Sequence, residues 1–250
     1  MLRNCPNEDF QQSSFFKTRP QLPSPEDVRA QARAQYLAGS GPDKRKVFGD
    51  AGPQWNPPPA SFASMGLFVK SGANIMIAEG QSLYAVCHFL KGSVPVPELY
   101  GWRTDGGNIS REHMYDRAIA DRFMAEAGPF QSVEEFHDWF VFLCRRPMAD
   151  PYSIPMEPFR SELPDDAAIS FTHGDLHRSN IMVSKSEPWR VVSIVDWEQS
   201  GWMPEYWEDR KAHFTSEWKG EWATKYLPMI PRQYESTEEA WWWYTSSMGF

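Results

Sequence analysis

The chain holds 250 residues, with 25 Lys and Arg against 33 Asp and Glu, a formal net charge of −8. That length suits one or two domains whose core needs neither disulfides nor a structural metal. The acidic balance argues against broad binding of nucleic acid or anionic membrane, and 41% hydrophobic with 23% charged residues argues against a disordered chain.

Three cysteines, Cys5, Cys87 and Cys144, lie far apart and form no C-x-x-C pair. Free thiols in a reducing compartment are the expectation. The first residues, Met1 to Phe16, lack the apolar centre of a secretory signal, and no stretch reaches the ~18 apolar residues of a membrane span. A soluble cytoplasmic protein is expected.

Residues 1–23 read as an irregular polar arm. A helix starts at Ser24-Pro25-Glu26-Asp27, with Ser as N-cap, Pro at N1 and an acid at N3, and runs to about Leu37. Residues 40–60, rich in Gly and Pro, form a linker. Gly66 to Lys70 reads as a strand, and Ile77 to Lys91 as a helix with Leu83, Val86, Cys87 and Leu90 on one face. Pro95 to Trp102 reads as an edge strand because two prolines exclude a central one. Thr104 to Asn108 is a turn. Helices follow at about 110–126 and 132–145, the second opened by the capping box Ser132-Val133-Glu134-Glu135. After a proline-rich connection over 146–168 come three short strands, Ile169–Thr172, Ile181–Val183 and Val191–Val195. The last third is helical, with Ser236-Thr237-Glu238-Glu239 capping a final helix that carries Trp241-Trp242-Trp243. This order predicts an α+β protein with a small sheet-bearing N-terminal part and a helical C-terminal part.

The chemistry concentrates in Phe171-Thr172-His173-Gly174-Asp175-Leu176-His177-Arg178-Ser179-Asn180-Ile181, followed by Val191-Val192-Ser193-Ile194-Val195-Asp196-Trp197-Glu198. A strand delivers a polar loop, a second strand leaves it, and a third ends in Asp196. Asp175, Asn180 and Asp196 therefore sit at strand ends, where a scaffold gathers polar side chains. A lone Asp in a loop is usually a turn former, and it is the combination with Gly174, Asn180 and Asp196 that points to a site. His177 and Arg178 read as loop surface, Glu205 and Glu208 as solvated helix charges, and Trp202, Tyr206 and Trp207 as C-terminal core.

H-G-D-x-x-x-x-N resembles the catalytic loop of the aminoglycoside phosphotransferase and choline kinase group, whose protein-kinase relatives carry H-R-D-x-x-x-x-N. Ile194-Val195-Asp196-Trp197-Glu198 is similar to the group's metal-binding segment, and Gly201-Trp202-x-Pro204-Glu205-Tyr206-Trp207-Glu208 extends the likeness toward fungal-type members. Val69-Lys70-Ser71-Gly72 resembles the third-strand lysine segment, and Ala78-Glu79-Gly80-Gln81 the helix whose Glu pairs with that lysine.

The resemblance implies a protein-kinase-like bilobal fold. Residues 1–60 would be an arm, helix and linker, 61–108 a reduced N-terminal lobe, and 109–250 a C-terminal lobe with the catalytic loop. It implies an ATP- and Mg²⁺-dependent transfer to a hydroxyl of a small molecule. Asp175 would accept or orient the proton of the attacking hydroxyl. Asn180 and Asp196 would hold Mg²⁺, and Lys70, fixed by Glu79, would neutralise the nucleotide phosphates. His173 would brace the loop. Against the family pattern, several dozen residues are missing between Gly107 and Tyr115-Asp116-Arg117, where a hinge should bond adenine. A second reading is therefore an inactive kinase-like binding protein. A third takes His173, Asp175, His177 and Asp196 as ligands of a metallohydrolase.

Overall fold

The computed structural model describes residues 7–39, 59–72, 75, 77–90, 92–104, 129–153 and 158–248. Two units are distinguished, Met1–His88 with Glu98–Arg111, and Phe89–Pro97 with Glu112–Phe250. Helices and small antiparallel sheets make up an α+β chain. Among the described residues no helix is long and apolar enough to cross a membrane.

In the first unit, β1 (Glu8–Asp9) pairs antiparallel with β4 (Gly101–Trp102). Helix α1 (Pro25–Leu37) opens on a reciprocal cap. Ser24 Oγ accepts from the Asp27 amide at 3.2 Å, and the Ser24 amide donates to Asp27 Oδ2 at 3.1 Å. Such a box satisfies amides that a helix start leaves bare. Strands β2 (Ala60–Phe62) and β3 (Leu67–Val69) form a hairpin, closed by a 3-10 turn with Gly66 in the left-handed region at φ 59°. Helix α1 lies along β2 through two amides. Gln31 Nε2 donates to the Ser61 carbonyl at 2.7 Å, and Gln35 Oε1 accepts from the Ser61 amide at 2.5 Å. Their carboxamides thus satisfy main-chain groups of a strand edge. Helix α2 spans Ile77–Phe89.

In the second unit, α3 (Val133–Phe142) starts at Ser132, whose Oγ accepts from the Glu135 amide at 3.1 Å. Strand β5 (Ile169–Thr172) pairs with β8 (Gly201–Pro204), and β6 (Ile181–Val183) with β7 (Val191–Ile194), all antiparallel. Helix α4 (Trp207–Phe214) follows β8, and α5 (Glu238–Ser247) ends the described chain. Their shared core is aromatic. Trp207 and Trp241 meet edge to face at 4.6 Å, with Phe136, Phe140, Tyr206 and Tyr244 around them. Large rings bury much apolar area each and prefer such tilted contacts.

Several expectations are corrected. The arm is not wholly irregular, since Glu8 and Asp9 pair with Trp102 and Gly101. The edge strand shrinks to Gly101–Trp102, as the prolines at 95 and 97 have no N–H for a ladder. Of the apolar face assigned to α2, only Val86 is buried, while Cys87 and Leu90 are exposed. Strand β8 is an element that the sequence reading lacks. Trp202 is exposed at 72% instead of belonging to the core with Tyr206 and Trp207. Helix α5 is entered from a 3-10 turn at Glu235–Thr237 without a side-chain cap. The helix expected near 110–126, most of the turn at 104–108 and the span expected to lack a hinge lie outside the described residues.

Candidate active site

Strand β5 ends at Thr172, and the chain turns through His173, Gly174 and Asp175 into a 3-10 turn (Arg178–Asn180) that feeds β6. Gly174 has φ 76°, and a Cβ there would overlap the carbonyl oxygen of Gln199. Glycine is thus required twice, by the left-handed backbone and by the close approach of the two loops. His173 is buried and spends both ring nitrogens inside the fold. Nε2 lies 2.9 Å from the Val195 carbonyl, and Nδ1 accepts the Asp175 amide at 3.2 Å. That pair of bonds assigns the proton to Nε2, so His173 acts as a brace.

Asn180 is buried, and its Nδ2 donates to the Asp175 carbonyl at 2.9 Å and to Asp175 Oδ2 at 3.2 Å. Its Oδ1 meets the Ser179 hydroxyl at 3.4 Å, leaving acceptor capacity on a hard oxygen. The Val195 amide donates to the Asn180 carbonyl at 2.9 Å, which puts Asp196 one residue beyond a main-chain bond to Asn180. Asp196 is half-buried and has φ 71°, the sole positive φ outside glycine among the described residues. Asp tolerates that region better than most residues, and strained backbone gathers at functional sites. His177 caps the 3-10 turn, with Nδ1 2.8 Å from Ser179 Oγ.

Two residues that the sequence does not single out as site residues lie against these loops. Glu208, expected to be a solvated helix charge, reaches from α4 to the loop. Its Oε2 accepts the His173 amide at 2.5 Å and the Gly174 amide at 3.3 Å. Burial pushes the Glu208 carboxyl above the ordinary carboxylate range; the two amides and the Lys211 ammonium oppose that rise, and the Asp175 charge adds to it. Lys211 is buried and donates from Nζ to Gln199 Oε1 at 3.1 Å. In the run Trp207-Glu208-Asp209-Arg210-Lys211 nothing marks which charge turns inward, so no sequence signal singles these two out.

Lys70 and Glu79 lie in the first unit. Lys70 follows β3, and its Nζ stands 2.9 and 3.0 Å from the two carboxylate oxygens of Glu79, in the first turn of α2. Within the first unit the structure brings Lys70 together with Glu79, and within the second it brings Asp175 together with Asn180 and the Asp196 turn. In the second group the half-buried Asp175 carboxylate accepts from Asn180, and the Asn180 carboxamide oxygen and the Asp196 carboxylate are further oxygen donors on strand-anchored loops. Such a donor set suits a hard divalent cation.

Residues 154–242 match the phosphotransferase enzyme family, APH. The matched segment takes in the Asp175 loop, the Asp196 turn and half of α5. Neither a curated protein nor a solved structure matches the chain.

Proposed function

We infer that the chain is a phosphotransferase that moves a phosphoryl group from Mg-ATP to a hydroxyl of a small molecule. One observation carries this reading: Asn180 clamps Asp175 by its carbonyl and its carboxylate at once, inside the segment that matches the family. Asp175 accepts the proton of the attacking hydroxyl, with Oδ2 oriented by Asn180. Asn180 Oδ1 and the Asp196 carboxylate are the groups that would hold Mg²⁺. Lys70, kept in place by Glu79, would meet the nucleotide phosphates. When bound, Mg-ATP supplies the phosphoryl group and the cation that offsets charge on its oxygens. On this reading the two units correspond to the lobes of a kinase-like fold.

The test is Mg-ATP turnover against a panel of hydroxylated small molecules, with a thermal shift on adding Mg-ATP. Asp175→Ala is expected to abolish turnover while the circular dichroism spectrum stays unchanged. Unaltered turnover in that variant sinks the reading. The inactive, kinase-like binding protein remains the second reading, motivated by the sequence shortfall after Gly107; transfer that is lost in Asp196→Ala rules it out. The metallohydrolase reading meets an obstacle in His173, because a metal bond would displace either the Val195 carbonyl or the Asp175 amide.

A further inference from the structure

Two surface features of the second unit are complementary in chemistry. The first is an open groove of about 890 Å³ along α5, walled by Phe159, Trp242 and Trp243 and rimmed by Glu235, Glu238 and Glu239. Neither Lys nor Arg is among the described residues that line it. Acids in the first turn of a helix answer its dipole, which accounts for Glu238 and Glu239. The dipole does not account for Trp242 and Trp243, which stay exposed beside them while Trp241 turns into the core. Arg210 stands 3.8 Å from Glu238, so Glu235 and Glu239 carry the rest of the groove's charge. The second feature is the turn after α4. The Gly220 amide donates to the Glu217 carbonyl at 2.8 Å, which puts Trp218 and Lys219 at its apex. Trp218 is 76% exposed, and the exposed Lys219 holds its ammonium 5.0 Å from the centre of the indole ring. The Glu217 carboxylate lies back near Gly220, at the base of the turn.

A tryptophan in water leaves a large apolar area uncovered, and once buried it anchors interfaces better than almost any other residue. The Trp218 ring and the rings of the groove need the same cover. The ammonium beside the one answers the carboxylates beside the others. Each chain carries both halves of this match, yet its own Trp218 stays exposed, so the chain does not fill its own groove. We propose that the α5 groove receives the Trp218–Lys219 turn of a second copy of this chain, with Trp218 against the groove's rings and Lys219 beside Glu239. A two-fold axis makes the contact isologous: each copy gives its turn and takes the other's, so two insertions close a dimer. None of the groove residues belongs to the Asp175 loop or the Asp196 turn, so this contact stands apart from the phosphotransferase reading.

The experiment is sedimentation equilibrium of the full chain over a dilution series, with circular dichroism to check that each variant is folded. The parent is expected to reach the mass of two chains. Trp218→Ala should weaken association about thirtyfold or more, the loss typical of an interface anchor. Lys219→Glu and Glu239→Lys should each weaken it about tenfold by setting like charges together. The double variant restores opposite charges and should recover most of the affinity. Trp218 and Lys219 are exposed on a turn, so substitutions there leave the fold intact. A parent that stays monomeric overturns the proposal and assigns the groove to another partner. A dimer that keeps its affinity within twofold in Trp218→Ala also overturns it, as does a double variant no tighter than the two single ones. If Glu239→Lys does not fold, unchanged affinity in Lys219→Glu overturns it.

Discussion

Asn180 folds its carboxamide back onto Asp175, giving one N–H₂ group to both the main-chain carbonyl and the carboxylate five residues earlier. Asn180→Ala leaves those acceptors without their donor beside a buried site, which costs about 1–3 kcal/mol by the penalty for a broken buried hydrogen bond. Urea unfolding measures it. Asn180→Asp is close in shape yet presses a second carboxylate against Asp175. Its loss relative to the parent should shrink as pH falls toward 4, because the protonated acid can donate again. An equal loss at pH 7 and pH 4 contradicts the described orientation of the amide.

Gly174 and Gly66 both occupy the left-handed region, at φ 76° and 59°, but only Gly174 is hemmed in. Gly66→Ala meets nothing within 4 Å and so carries only the conformational penalty, about 1–2 kcal/mol for an L residue. Gly174→Ala carries that penalty plus the collision with the Gln199 carbonyl, and the two loops must part. It should lower the urea midpoint further than Gly66→Ala and impair turnover, whereas Gly66→Ala should leave the Asp175 loop undisturbed. Equal midpoints for the two variants would refute the close approach.

Local rules carried the sequence reading where neighbours in the chain decide the outcome. Ser24 and Ser132 cap their helices as the spacing of the acids at 27 and 135 demands. The strands at 169–172 and 181–183 fall where apolar runs end in polar turns. The reading failed where the partner lies far along the chain. Glu8–Asp9 has no strand signal of its own and is extended because Gly101–Trp102 offers it a ladder. Strand β8 likewise depends on β5. Glu208 looks like any helix glutamate until α4 docks it under His173, 35 positions earlier. The Asp175 loop itself was legible because its motif packs glycine, acid and amide within eight residues.

Two histidines in the second unit should respond to pH with opposite sign. His137 is fully buried, with Nδ1 2.8 Å from Asp165 and Nε2 2.7 Å from the Tyr206 hydroxyl. Burial holds its imidazole below the usual histidine range, aided by the Arg160 charge, although the bond to Asp165 pulls the other way. The unfolded chain then takes the proton first. The contribution of His137 is complete above the unfolded value of about 6.5 and is lost as pH falls through the folded one. His213 is the reverse. The hydrogen bond to Asp209 raises its pKa, so its contribution is complete below about 6.5 and is lost as pH rises through the higher folded value. Urea midpoints between pH 5 and 9 check both. His137→Gln should flatten the acid side of the profile, and His213→Gln the alkaline side. A profile in which both variants track the parent would contradict these environments.

The tryptophan run at 241–243 divides by position on α5. Trp241 is 1% exposed between Phe140 and Trp207, whereas Trp243 is 47% exposed and touches Phe159 at 5.2 Å between ring centres. Trp241→Ala opens a cavity in the aromatic core and should cost about 3–5 kcal/mol. Trp243→Ala, at a half-exposed site, should cost about 1 kcal/mol or less. A further variant separates size from polarity. Trp241 Nε1 is buried with no hydrogen-bond partner among the described residues, so Trp241→Phe removes an unsatisfied donor while keeping a ring against Trp207. It should therefore be the mildest large-core substitution at this position, clearly above Trp241→Ala in thermal unfolding. A Trp241→Phe midpoint as low as that of Trp241→Ala would mean that the indole nitrogen, not the ring area, holds the helix in place.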